Sequence, residues 1–82
     1  MPTVTIAGSA GLRFTRGLAE FEVEATTMRR LITELEARFP GLGREIDEGM
    51  AVAVNGEIHQ DDYALLLPEN AEICLIPKIA GG

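Results

Sequence analysis

One stretch, Met28 to Phe39, sets the layout of the chain. Met28, Leu31, Ile32, Leu35 and Phe39 recur at spacings of three, four and seven, which stacks them on one face of an α-helix. Arg29, Arg30, Glu34, Glu36 and Arg38 take the other face. Arg30–Glu34 and Glu34–Arg38 stand one helical turn apart, and each such pair adds only about a few tenths of a kcal/mol. Thr26 or Thr27 can cap the start, because a hydroxyl accepts from a free backbone N–H of the first turn. No Glu follows three residues on, so the capping box is incomplete. Pro40 disfavours helical geometry at the residue before it and ends the helix. Gly41 and Gly43 loosen the chain beyond. A helix with one apolar stripe must bury it, and the rest of the chain offers strands for the purpose.

Val4 and Ile6 alternate with Thr3 and Thr5, a period-two strand over Thr3 to Ala7 that Gly8-Ser9-Ala10-Gly11 breaks. Phe21 to Ala25 alternates again, after a long irregular connection carrying Arg13, Arg16 and Gly17. Met50-Ala51-Val52-Ala53-Val54 is an apolar strand. Asn55-Gly56 is the strongest short turn signal in the chain, with Glu57-Ile58-His59 as the short partner strand. Pro68-Glu69-Asn70-Ala71 is a turn, with Asn70 the residue best suited to a left-handed conformation. Ile73-Cys74-Leu75-Ile76 is apolar on both faces, which suits a central strand, and Pro77 stops it. The order predicts an α+β fold of the β-grasp (ubiquitin-like) type. Its mixed sheet has roughly four to five strands, with one main helix on one face and the first and last strands parallel in the middle. Residues 1–77 form that domain, and residues 78–82 are expected to be a flexible tail.

The chain has 82 residues, enough for one domain and too few for a deep enclosed active site. Thirteen acidic against seven basic residues give a net charge of −6. Nucleic acid and anionic membrane surfaces demand the opposite sign. The charge suits docking on a partner with basic patches, or solubility alone. Cys74 is the only cysteine, so there is no internal disulfide and no cysteine-rich zinc site. No signal peptide is visible, and no apolar run approaches the ~20 residues that span a bilayer. The cytoplasm is the expected location.

Chemistry has few places to reside. His59 is the only histidine, and Cys74 sits in an apolar strand where a cysteine acts as a small hydrophobe. Asp61-Asp62 and Glu45, Asp47 and Glu48 read as solvated loop acids rather than metal ligands. Gly8-Ser9-Ala10-Gly11 lacks the lysine and the following helix of a phosphate loop. The closing Gly81-Gly82 remains. With glycine at roughly 7% of residues, such a pair ends roughly 0.5% of chains by chance, so the pair alone leaves two readings. One is a frayed terminus. The other is a tail built for a narrow channel, because glycines leave the final carbonyl open to attack and let the backbone approach closely. On the second reading an activating enzyme turns the carboxylate into an acyl-adenylate.

Further residues bear on the choice. Pro77-Lys78-Ile79-Ala80-Gly81-Gly82 resembles the P-x-[VI]-[AT]-G-G ending of the MoaD/ThiS sulfur-carrier family. Ala53-Val54-Asn55-Gly56 resembles its strand end and turn. Glu72-Ile73 with Leu75-Ile76-Pro77 resembles its last strand, and Thr27 to Leu42 its helix and following turn. Lys78 stands where many relatives have Pro or Ala. The resemblance implies a carrier rather than an enzyme, one that binds no cofactor of its own. A ubiquitin-activating-type adenylyltransferase would use ATP and Mg²⁺ to adenylate the carboxylate of Gly82. A sulfur donor would convert it to a thiocarboxylate, presented on Ile79, Ala80 and Gly81. An acceptor enzyme would then take the sulfur, the large subunit of molybdopterin synthase in the MoaD branch or a thiazole-forming enzyme in the ThiS branch. The runner-up is a ubiquitin-like modifier joined through Gly82 to lysines. Docking is expected on the open face of the sheet near the tail, with Val52, Val54, Leu75 and Lys78 as candidate contacts and Arg13 and Arg16 as candidate rim contacts. Alternation assigns half of each strand to that face without saying which half.

Overall fold

Short alternating segments and one amphipathic stretch assemble into a five-stranded sheet whose apolar face packs on helices. In this computed structural model, which describes residues 1–78, the order is β1 (Thr3–Ile6), a helical turn α1 (Ser9–Leu12), β2 (Glu20–Glu22), α2 (Met28–Arg38), α3 (Leu42–Gly49), β3 (Met50–Val54), β4 (Glu57–His59) and β5 (Glu72–Pro77). The strands lie in the order β2-β1-β5-β3-β4. β1 and β5 are parallel and the other neighbours antiparallel. The last strand is therefore the middle one, as its apolar character on both faces predicts. Leu31 and Leu35 of α2 and Leu42 of α3 meet Val4, Val23, Ile73 and Leu75, all with essentially no exposed surface. Burying a side chain of this kind contributes about 1.5–3 kcal/mol.

Local signals place most of these elements. The Thr27 hydroxyl accepts from the backbone N–H of Arg30 at 3.2 Å and caps α2. Asn55 and Gly56 both take positive φ, 49° and 87°, the conformation of a two-residue hairpin turn. Two expectations fail. Asn70 is not among the left-handed residues; its side-chain oxygen instead accepts from the Met1 ammonium at 3.1 Å. Gly8-Ser9-Ala10-Gly11, expected to break the strand with no helix following, instead leads into the helical turn α1, which starts at Ser9.

α3 is the largest addition. Glu45, Asp47 and Glu48, expected in a loop, lie on this helix. The Glu36 carboxylate at the end of α2 closes its N-terminus, accepting from Gly41 at 2.8 Å and from Gly43 at 2.9 Å. Gly41 holds φ at 98°, a left-handed value that turns the chain from α2 into α3. The Gly41 N–H, chiefly, holds the Glu36 carboxyl below the usual carboxylate range; burial opposes it, and the Gly43 and Arg44 N–H groups add smaller contributions in the same direction as Gly41. A lowered folded-state pKa gives stability that is present above the unfolded value and lost as pH falls through the folded one. Glu36→Gln is therefore expected to be less stable than the parent near neutral pH. The difference should shrink as pH drops below the ordinary carboxylate range, as read by urea unfolding across a pH series.

The outer edge of β2 is closed by α2. Arg38 donates to the Glu22 carbonyl at 2.8 Å, and the Glu34 carboxylate accepts from the Glu24 N–H at 3.0 Å. The two side chains pair with each other at 3.7 Å. Arg38 also lies 4.8 Å from the centroid of Phe21 and 5.3 Å from that of Phe39. Covering an edge in this way blocks strand addition by another chain. Arg38→Ala is expected to cost about 1–2 kcal/mol in urea unfolding, from one charge-assisted hydrogen bond and the stacking. Arg38→Lys should recover only part, since an ammonium lacks the planar fork.

Candidate functional site

The two faces of the sheet differ in the size of their side chains. Met50, Val52 and Val54 of β3 and Ile73 and Leu75 of β5 face the helices and belong to the core. This corrects three expected docking contacts. Val52 is 3%, Val54 6% and Leu75 0% exposed, and all three belong to the core under the helices, so none can meet a partner on the open face. Volume decides the register: the larger side chains fill the space under α2 and α3, and Ala51 and Ala53, only 7% and 8% exposed, lie on the opposite face with little surface of their own.

The open face follows from the strand pairing. Glu20, Thr5, Cys74, Ala53 and Ile58 form one row across all five strands. Glu22, Thr3 and Glu72 form a second row, and Ile76 lies beside Ala51. The face is thus divided. The β2–β1 half is polar and carries acids, with Glu72 extending them to β5. The β5–β3–β4 half carries Ala51, Ala53, half-buried Cys74 and Ile76, and Ile58 with 63% of its surface exposed. Thr3, Thr5, Glu20, Ala53, Glu72 and Cys74 line a broad shallow depression. An apolar area bordered by charge suits a protein partner.

Lys78 lies where β5 ends. Its backbone N–H donates to the Gly49 carbonyl at 2.9 Å and its ammonium to the Asp47 carbonyl at 3.4 Å. The Asp47 carboxylate accepts from the Tyr63 hydroxyl at 3.1 Å, and this hydrogen bond, with the charge behind it, raises the Tyr63 pKa. Ile79, Ala80, Gly81 and Gly82, expected to form the reactive tail, lie outside the described residues. Arg13 and Arg16 are gathered with Arg38, Phe39 and Pro40 at the C-terminal end of α2 rather than beside the open face.

Other groups do not converge. His59 pairs opposite Val52 on the helix side, 3.6 Å from Asp62 and 3.9 Å from Glu57, whereas Cys74 is on the open face. The cleft lined by Met50, His59, Tyr63 and Lys78 offers about 20 Å³, room for a single water. Among the described residues no three His, Cys, Asp or Glu side chains gather to hold a metal. Nor is any described helix long and apolar enough to cross a membrane.

Known proteins share this architecture. The molybdopterin synthase sulfur carrier subunit of Pyrenophora tritici-repentis is 31% identical over 77 residues, covering 90% of this chain and 83% of that protein. Mycobacterium tuberculosis CysO superposes with a TM-score of 0.83 at 17% identity, covering 96% of this chain and 100% of that one. A chain of the Amycolatopsis orientalis BexX/CysO complex gives 0.82 at 20% identity, with 100% of each chain covered. Small archaeal modifier protein 1 from Methanosarcina acetivorans gives 0.74 at 20% identity, covering 99% of this chain and 95% of that one. These solved structures bear on the fold, which is the ubiquitin-like β-grasp. Residues 12–82 match the ThiS family, through to the closing Gly-Gly. With its β-grasp sheet and that match over most of its length, the chain belongs to the ThiS family of sulfur carriers, which includes the MoaD type.

Proposed function

We propose that the chain carries sulfur as a thiocarboxylate on Gly82 and delivers it in molybdopterin synthesis. The observation that carries this reading is the 31% identity, across nearly the whole chain, to a molybdopterin synthase sulfur carrier subunit. In the proposed cycle a ubiquitin-activating-type adenylyltransferase, with ATP and Mg²⁺ in its own site, joins the Gly82 carboxylate to the α-phosphate. Pyrophosphate leaves. A persulfide displaces AMP, and a thiol cleaves the resulting acyl disulfide to free the thiocarboxylate. That sulfur is a nucleophile at neutral pH and attacks the acceptor held by a molybdopterin-synthase-type large subunit. On this reading the carrier itself is a co-substrate that binds no cofactor and works in the cytoplasm, where ATP is available to its partner.

Residues 1–77 act as the docking domain and residues 78–82 as the arm that enters the partner. The apolar half of the open face, Ala51, Ala53, Ile58, Cys74 and Ile76, is the contact surface beside the arm, and Lys78 marks the arm's root. ATP–pyrophosphate exchange with an activating enzyme of this type tests the first step. The full chain is expected to support exchange and a chain lacking Gly82 to support none. Equal exchange with both chains would end the proposal. Exchange without sulfur transfer, together with isopeptide conjugates to lysines in a lysate, would assign the chain to protein modification instead.

A further inference from the structure

α3 has no means of closing its own C-terminus. It ends at Gly49, and the next residue, Met50, is already extended as the start of β3. A helix that passes straight into a strand has no turn in which to satisfy its last carbonyls, so those groups must find donors elsewhere. Lys78 supplies two, its backbone N–H to Gly49 at 2.9 Å and its ammonium to Asp47 at 3.4 Å. The ammonium also meets the negative end of the helix dipole. The opposite end of α3 is closed by the Glu36 carboxylate. The helix is thus held between an anion and a cation, neither of which belongs to it.

We propose that Lys78 is a positioning residue. It caps α3 from outside the helix and so fixes residue 78, from which the chain continues into the residues that the carrier reading makes reactive. Lys78 is the only lysine in the chain; every other basic side chain is arginine. It immediately precedes the residues that the carrier reading makes reactive, and its consequence for turnover rests on that reading. With Lys78 held on α3, that residue has less conformational freedom left to lose when a partner binds. Once the arm is bound the partner holds it, so the effect falls on capture and not on the chemical step.

The test uses the full chain with Lys78→Met, which keeps the stem, and Lys78→Arg, which keeps the charge and can reach the same carbonyl. Amide hydrogen exchange of the free protein reads the cap itself. In Lys78→Met the amide of residue 78 should exchange about two- to fivefold faster, the range expected for a cation at a helix end. Lys78→Arg should restore the parent rate. Steady-state adenylation should show a KM raised by a similar factor in Lys78→Met with kcat unchanged, again restored by arginine. Equal exchange in all three proteins, or a fall in kcat with KM unchanged, would overturn the proposal. The exchange measurement needs no partner, so it stands even if activating enzymes fail to adenylate the parent chain. That failure would count against the carrier reading alone.

Discussion

Leu75→Ala is expected to lower stability by about 2–5 kcal/mol, because it empties a fully buried site that surrounding chain cannot refill. Leu75 sits in the middle strand, between Ile6 of β1 and Val52 of β3, with none of its surface exposed. A single core of this size supplies only about 3–5 kcal/mol of net stability. The variant should therefore keep at most about 3 kcal/mol, with its urea midpoint far below the parent's and its native baseline shortened or lost. A loss below about 0.5 kcal/mol, the range of ordinary surface changes, would place Leu75 outside the core. It would return Leu75 to the docking face where sequence alternation alone allowed it.

Ala53→Arg should do the reverse, leaving the fold and removing the partner. Ala53 lies on the open face, with Cys74 on one side and exposed Ile58 on the other. A long cationic side chain there points away from the core but occupies the depression in which a partner's apolar surface would sit. Ala53 has only 8% of its surface exposed, so seating the longer side chain is expected to cost about 1–2 kcal/mol with the fold retained. Affinity for the activating enzyme should fall about 100-fold, or about 2.7 kcal/mol, as for a bulky charge placed at the centre of an interface. Calorimetric titration reads this directly. Unchanged affinity in a folded variant would mean that the partner uses another surface.

The contrast between these two positions shows what the sequence could and could not convey. Elements whose signals are local were legible: α2 from its apolar stripe and Thr27 cap, the β3–β4 hairpin from Asn55-Gly56, and the central place of β5 from its apolar character on both faces. The facing of β3 was obscured because all five of its residues are apolar, so hydrophobicity alone has no period there. The usable signal was size, with Met50, Val52 and Val54 alternating with Ala51 and Ala53. α3 was hidden for a different reason. It contains Gly43 and Gly49, has no side-chain cap of its own, and is closed by Glu36 and Lys78 from other elements. No window along the chain contains those contacts. In the candidate site the closing Gly-Gly and the family ending were plain, while the contacts of Lys78 with α3 emerged only when β5 and α3 were seen side by side.

The decisive measurement is the chemical state of Gly82 after incubation of the protein with an activating enzyme proven on a carrier of this family, ATP, Mg²⁺ and a persulfide donor. A thiol-selective alkylating reagent followed by mass spectrometry of the C-terminal peptide distinguishes a thiocarboxylate from oxidation of methionine or Cys74, which intact mass would confuse with it. The carrier account predicts the label on Gly82 of the full chain and none on the C-terminal peptide of a chain lacking Gly82. An activating enzyme proven on another carrier of this family that leaves Gly82 unlabelled here, with neither adenylate nor sulfur, would contradict it.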